Sequence, residues 1–197
     1  MRTLSLFARP QLEEYADAHA NAQRRQEIEK EIWSIYGEER AVLVLDMSGF
    51  SLLTQRHGII FYLSMVRRMH LVVTPIVASL GGKVVKFEAD NSFSVFDTSL
   101  QAVQAAREIH RALNAENHPE KIRVSIGIDY GRVLMVDDID VFGNPVNRAS
   151  KLGEDIAEAG ETLITSEAFA RIPEDAGITG QRTPMTISGI EIEVISL

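Results

Sequence analysis

The chain of 197 residues contains no cysteine. That absence excludes disulfides, thiolate metal sites and cysteine nucleophiles, and it fits a cytoplasmic protein. Positive charge is also short: 20 Lys and Arg stand against 28 Asp and Glu, a net charge of −8. A protein that coats nucleic acid needs clustered cations, so that class is set aside. No run of about 18 apolar residues occurs, which argues against a membrane span. The apolar stretch within Met1–Pro10 is too short for a signal peptide. Hydrophobic residues nevertheless make up 45% of the chain, enough for one good core.

Two aspartates stand out, each at the end of a short apolar strand. Asp46 ends Ala41-Val42-Leu43-Val44-Leu45, and Asp90 follows Lys83-Val84-Val85-Lys86-Phe87-Glu88-Ala89. Two carboxylates brought together offer the hard oxygen ligands that Mg²⁺ prefers, with room left for substrate phosphates. The turn Ser48-Gly49-Phe50-Ser51 runs into a helical pattern and supplies backbone N–H groups for those phosphates. Metal-assisted chemistry on a nucleoside triphosphate is the implication.

Around these residues the pattern alternates between helix and strand. Residues 11–36 read as one charged helix with Ile28, Ile32 and Ile35 on a shared face and Gly37 as its stop, an extension ahead of the core. Ile59 to Leu80 keeps helical spacing, with Pro75 predicting a kink or break, and Gly81-Gly82 ends it. Lys83–Glu88 and Ser92–Phe96 read as a hairpin that projects Asp90 from its tip. Ser99–Leu113 is helical, Ile122–Ile128 and Gly131–Val136 are strands, and Asn144-Pro145 opens a helix with Asn144 as a good N-cap. That helix places Asn147 and Lys151 on one face. Thr162–Thr165 reads as a strand, Ser166–Ile172 as a short capped helix, and Met185–Leu197 as a hairpin around Ser188-Gly189. The fold class expected is α+β, with helices packed on a mixed sheet. The boundary falls between an extension, 1–39, and a core domain, 40–197.

Three blocks, in order, resemble the catalytic domain of class III nucleotidyl cyclases. Asp46-Met47-Ser48-Gly49-Phe50-Ser51 is similar to the family's Asp-Ile-x-Gly-Phe-Thr turn. Gly81-Gly82, Lys86 and Asp90 match its hairpin block. Asp140 through Leu152 matches Asp-x-x-Gly-x-x-Val-Asn-x-Ala-x-Arg-Leu. The resemblance implies a ferredoxin-like or palm-like sheet and a head-to-tail homodimer with active sites at the interface. It implies two Mg²⁺ or Mn²⁺ ions held by Asp46, Asp90 and the Met47 carbonyl. Lys86 and Asp140 of the partner subunit are expected to read adenine, Asn147 the ribose, and position 151 the charge developing at the α-phosphate. Arg132 is similar to an arginine that grips the β and γ phosphates. Lys and Asp suit adenine, since one donates to N1 and the other accepts from the N6 amino group. The activity implied is cyclisation of ATP to cyclic AMP.

The departures matter as much. Lys151 stands where the family has arginine, exchanging a fork of donors for one point charge. Ala89 replaces the usual glycine before Asp90, a mild change where the backbone is ordinary. Glu88 adds a second carboxylate near the hairpin, expected to face away from Asp90. Relatives place a lysine for the triphosphate near the C-terminus, and Arg182 is the candidate in its place. A cyclase-like domain that binds nucleotide or a partner and signals through dimerisation is therefore the second reading. A phosphoacceptor receiver domain is disfavoured because its sheet is all-parallel and Lys83–Phe96 is a hairpin. A diguanylate cyclase is disfavoured because Gly81-Gly82 is followed by Lys83 rather than an acidic residue.

Overall fold

A computed structural model describes residues 6–18, 21–187 and 190–197. The run Ala41–Leu45 forms the middle of β1 (Gly37–Met47), and all five of its side chains are buried because both strand faces are covered. β1 pairs antiparallel with β3 (Asn91–Phe96) on one side and with β4 (Val124–Val136) on the other. Outside β3 lies β2 (Lys83–Glu88). Outside β4 come β6 (Thr162–Thr165), β8 (Ile190–Ser196) and β7 (Gln181–Ile187). β6 runs parallel to β4, and short β5 (Asp140–Phe142) folds back antiparallel onto the end of β4. The sheet is mixed and open, the α+β architecture expected.

Leu43, Leu45, Met47, Ile126 and Ile128 share one face of the sheet. There α4 (Ile59–Ser79) and α5 (Ser99–Ala115) bury Met65, Met69, Val73, Ile109 and Leu113 against them. A capping box starts α5: Thr98 Oγ1 accepts from the Gln101 N–H, and the Gln101 side chain accepts from the Thr98 N–H. Val42, Val44 and Val133 face the other way, against Val146 and Ala149 of α6 (Asn144–Ser150). α6 passes directly into a π-helical turn, Lys151–Ile156. The approach is close: a Cβ on Gly127 of β4 would sit 2.0 Å from the Ala149 carbonyl oxygen. Glycine there lets α6 lie on the sheet beside the end of β1.

Several expectations need correction. The charged stretch is two helices, α1 (Pro10–Asp17) and α2 (Ala22–Tyr36), rather than one over 11–36. Asn21 restarts the helix by accepting from the Arg24 N–H at 3.0 Å. The buried face of α2 is Ile28, Ile32 and Tyr36, packed on Leu134 and Val136, while Ile35 is 40% exposed. Pro75 does not break α4; it stands on the solvent face, where water can satisfy the Leu71 carbonyl that its ring leaves unpaired. The break falls earlier, at Gly58, between α3 (Phe50–His57) and α4. β4 is one strand of 13 residues instead of two short ones. Gly143, not Asn144, occupies the N-cap of α6 and makes no side-chain cap. Thr165 caps α7 (Ser166–Phe169), which stops short of Ile172. The Ser188-Gly189 turn lies outside the described residues, and Ile187 pairs with Ile190 on either side of it.

Among the described residues α4 is also the one helix long and apolar enough to cross a membrane by length and composition. It carries Arg67 and Arg68, and its inward face belongs to the core just described. Its outward face is apolar as well, with Ile59, Ile60, Leu63 and Leu71 exposed.

Candidate active site

Strand alternation turns Asp46 to the face of Val42 and Val44, away from the α4–α5 layer. Asp46 is opposite Asn91 in the register, and Asn91 follows Asp90, so the β2–β3 tip stands beside the end of β1. Glu88 pairs with Asn91, leaving Ala89-Asp90 as a two-residue turn. Ala89 has φ +53°, in the left-handed region. The backbone there is therefore not ordinary, and alanine in place of glycine costs about 1–2 kcal/mol. Tyr62 of α4 is buried and donates its hydroxyl to Asp90 Oδ2. Burial, followed by that bond, pushes the Tyr62 hydroxyl well above its usual pKa and keeps it a donor.

The Asp46 carboxyl is pushed up to about 7, first by burial, then by Asp90, Glu154 and Asp155. Every charge acting on it is negative, a field that a divalent cation relieves. Among the described residues no three Asp, Glu or His side chains converge as a metal cage. The donors at this corner are two carboxylates and, because the Met47 side chain is sunk in the core, only the backbone carbonyl of Met47. That set suits Mg²⁺, which keeps waters and takes substrate phosphate oxygens rather than a full protein cage.

The adjoining turn is partly committed. The Ser48 N–H donates to the Arg123 carbonyl at 2.9 Å, so it is not available to a phosphate. Gly49, at φ +98°, turns the chain into α3, leaving the N–H groups of Phe50 and Ser51 in its first turn, where no intrahelical partner exists.

Lys86 and Asp140 meet at a second corner of the same face. A register shift in β2 between Val84 and Lys86 turns Lys86 onto the Phe93 ring, 4.8 Å from its centroid. Lys86 Nζ lies 3.1 Å from Asp140 Oδ1 and 3.0 Å from Glu88 Oε2. Asp140 Oδ1 also accepts from the Val141 N–H at 2.9 Å. The β4–β5 turn carrying Asp140 uses Asp137 and Asp138 at φ +50° and +60°, and Asp138 is pinned by Lys83 at 2.7 Å. Lys86 lies two strand residues, about 7 Å, before Glu88, the last residue of β2, and Asp90 follows in the turn.

Asn147 is exposed on α6. Lys151 Nζ lies 2.6 Å from Asp155 Oδ2, one turn on. Arg132 is not brought to the aspartates. In the β1–β4 register Asp46 faces Ser125 and Glu39 faces Arg132, so seven strand residues, about 24 Å, separate them. Arg132 also lies on the α2 face, its guanidinium 4.4 Å over the Trp33 ring. Arg182 is paired across β7–β8 with Glu193 at 2.5 Å. One part of the site carries no sequence signal of its own. Fully buried Asp129 holds Arg148 Nε at 2.6 Å and accepts from Thr165 Oγ1 at 2.5 Å, and Arg148 reaches Glu167 at 2.8 Å. These contacts anchor α6, which bears Asn147, to β4 and β6.

A strand-end aspartate pair, a glycine turn into a helix and a Lys–Asp corner thus gather on one face of an α+β sheet. The family model for the adenylate and guanylate cyclase catalytic domain matches residues 38–194, and the chain belongs to that family. It is 31% identical over 129 residues to "Putative adenylate cyclase 3" of Rhizobium meliloti (strain 1021), covering 64% of this chain and 22% of that relative. The chain thus spans about a fifth of that relative's length. An adenylate/guanylate cyclase/hydrolase from Silicibacter pomeroyi superposes with TM-score 0.66 at 28% identity, covering 81% of this chain and 96% of that one. The catalytic core of a rhodopsin-guanylyl cyclase with converted specificity, in complex with ATPalphaS, superposes with TM-score 0.71 at 20% identity, covering 81% and 97%. Domains of this family are generally metal-dependent, and the corner at Asp46 and Asp90 is chemically suited to that.

Proposed function

We propose that the chain is an adenylate cyclase, converting ATP to 3′,5′-cyclic AMP and pyrophosphate. The observation that carries the choice of base is the Lys86–Asp140 pair, 3.1 Å apart. One donor and one acceptor side by side match adenine N1 and its N6 amino group. The relative named a putative adenylate cyclase supports the same choice.

The active unit is a head-to-tail homodimer. In this reading one subunit supplies the carboxylates and its partner the base-reading pair. Exposed apolar residues beside both corners, Phe50 and Leu52 at one and Ile139 and Phe142 at the other, support burial between copies. Residues 1–39 act as an extension to a catalytic unit of 40–197, and ATP as substrate favours a cytoplasmic site of action.

Asp46, Asp90 and the Met47 carbonyl are the groups to hold two Mg²⁺ or Mn²⁺ ions. Such ions lower the pKa of the ribose 3′-hydroxyl and neutralise the phosphate oxygens. The rest of the work belongs to the chain. The Phe50 and Ser51 N–H groups cradle phosphate oxygens, Asn147 orients the ribose for in-line attack on the α-phosphorus, and Lys151 balances charge as pyrophosphate leaves.

Cyclic AMP formation from ATP with Mn²⁺ or Mg²⁺, set beside Asp46→Ala and a GTP control, tests this. Product from ATP that vanishes in Asp46→Ala is expected. The Lys151–Asp155 contact, which occupies the ammonium within its own chain, favours the second reading, a nucleotide-binding domain that signals through dimerisation. ATP binding to a folded dimer without product from either nucleotide decides for that reading.

A further inference from the structure

Tyr62 belongs to none of the three motif blocks, yet its hydroxyl donates to Asp90 Oδ2. It is 3% exposed, and its ring meets Phe50 edge-on, centroids 4.8 Å apart at 78°. One side chain of α4 therefore touches both the phosphate turn and the hairpin aspartate. The break at Gly58 sets this up: the Tyr62 N–H bonds the Gly58 carbonyl at 3.3 Å, placing the ring in the first turn of α4 directly behind the α3 start.

We propose that Tyr62 is a positioning residue that holds the Asp90 carboxylate in the orientation in which it takes a divalent cation. This rests on Asp90 being a metal ligand, as proposed above. The physical need is plain. Asp90 sits at the tip of a two-residue turn whose first residue, Ala89, is strained at φ +53°. Such a conformation persists only where the surroundings hold it. A tip carboxylate with free χ1 and χ2 would swing away from Asp46, since like charges repel. A carboxylate has about four lone-pair directions, so one bond from Tyr62 fixes its plane and leaves the other oxygen and the remaining lone pairs for a cation. Phe50, packed edge-on against the same ring, ties the phosphate turn to that orientation. A ligand-orienting hydrogen bond of this kind typically governs metal affinity by about 10- to 100-fold.

Tyr62→Phe removes the donor and keeps the ring and its contact with Phe50. The test is titration of the full chain with Mn²⁺ alone, reading free Mn²⁺ by electron paramagnetic resonance, for wild type, Tyr62→Phe, Asp90→Asn and the double variant. Circular dichroism confirms that each is folded. The expected result is binding weakened about 10- to 100-fold in Tyr62→Phe. In the double variant the tyrosine change adds nothing to Asp90→Asn, because it acts through Asp90. In turnover, the Mn²⁺ concentration for half-maximal activity rises while KM for ATP at saturating metal stays put. Tyr62→Phe binding Mn²⁺ like wild type, with Asp90→Asn impaired, overturns the tyrosine's role and leaves the metal site standing. Asp90→Asn binding like wild type removes Asp90 as a ligand and the proposal with it.

Discussion

Lys86 lies 3.1 Å from Asp140 and 3.0 Å from Glu88, so the lysine proposed to read the base is held between two carboxylates before any nucleotide arrives. Burial opposes its charge, but the bonds to Glu88 and Asp140 win and hold its pKa above the ordinary value, keeping it a full donor. Lys86→Ala leaves Asp140 with its Val141 N–H bond and no cation. A well-placed base contact is worth about 1–3 kcal/mol of discrimination, or about 5- to 150-fold. The expected outcome is a fall of that size in kcat/KM for ATP, with the ratio of ATP to GTP turnover moving toward one. Steady-state kinetics with both nucleotides checks it; an unchanged ratio removes Lys86 from base selection.

Asp129 and Arg148 make a second prediction, on stability. Asp129 is fully buried and its partners come from α6 and β6. Removing one member of a buried pair strands a charge, at about 3–5 kcal/mol, whereas replacing both with apolar residues costs far less. Arg148→Leu is expected to fall in that range. The double change Asp129→Leu with Arg148→Leu should be more stable than Arg148→Leu alone. Urea midpoints for the set decide it. Because Arg148 adjoins Asn147, loss of the anchor should also lower kcat.

How much of this could be read beforehand depends on the range of the contacts involved. Asp46 and Asp90 were legible because each ends its own strand, and a strand end and a hairpin tip are local features. Lys86 and Asp140 were legible as positions, but not their pairing, which depends on a register shift in β2 and on two aspartates in left-handed conformation at the β4–β5 turn. Arg132 was legible only through the resemblance, and its placement on the α2 face, about 24 Å along the strand from Asp46 of the same chain, follows from β4 being one continuous strand. Asp129 and Arg148 are 19 residues apart and neither belongs to a local pattern, so only the packing of α6 on the sheet shows them as a pair. Tyr62 read as one helical position among many, and its hydroxyl gains meaning only from the hairpin tip beside it.

Lys151 gives a third prediction. Its ammonium is 2.6 Å from Asp155, an exposed pair one turn apart, which stabilises little. A guanidinium at the same place can bridge two phosphate oxygens where an ammonium makes one contact. Loss of a full transition-state donor typically costs about 10²- to 10³-fold in rate, and lysine retains part of that. Lys151→Arg should therefore raise kcat by up to about 10²-fold and leave KM for ATP nearly unchanged. A lower kcat in Lys151→Arg would mean that the π-helical turn is shaped for lysine.

The last prediction concerns acid. His110 of α5 has its Nε2 3.0 Å from Thr162 Oγ1, and burial lowers its pKa from the ordinary value near 6.5. The folded state therefore binds a proton less readily than the unfolded chain. Between the ordinary value and the lowered one, the unfolded state carries more protons, so stability rises with pH across that window. The contribution is complete above about pH 6.5 and is lost as pH falls through the folded-state pKa. His110→Gln keeps a group able to bond Thr162 but cannot charge. Melting temperatures from pH 5 to 8, taken with EDTA present, should show the wild type losing more stability on acidification than His110→Gln. Equal slopes for the two proteins would place the acid sensitivity elsewhere, with His70, stacked 3.6 Å from the Phe87 ring and also lowered by burial, as the next residue to replace.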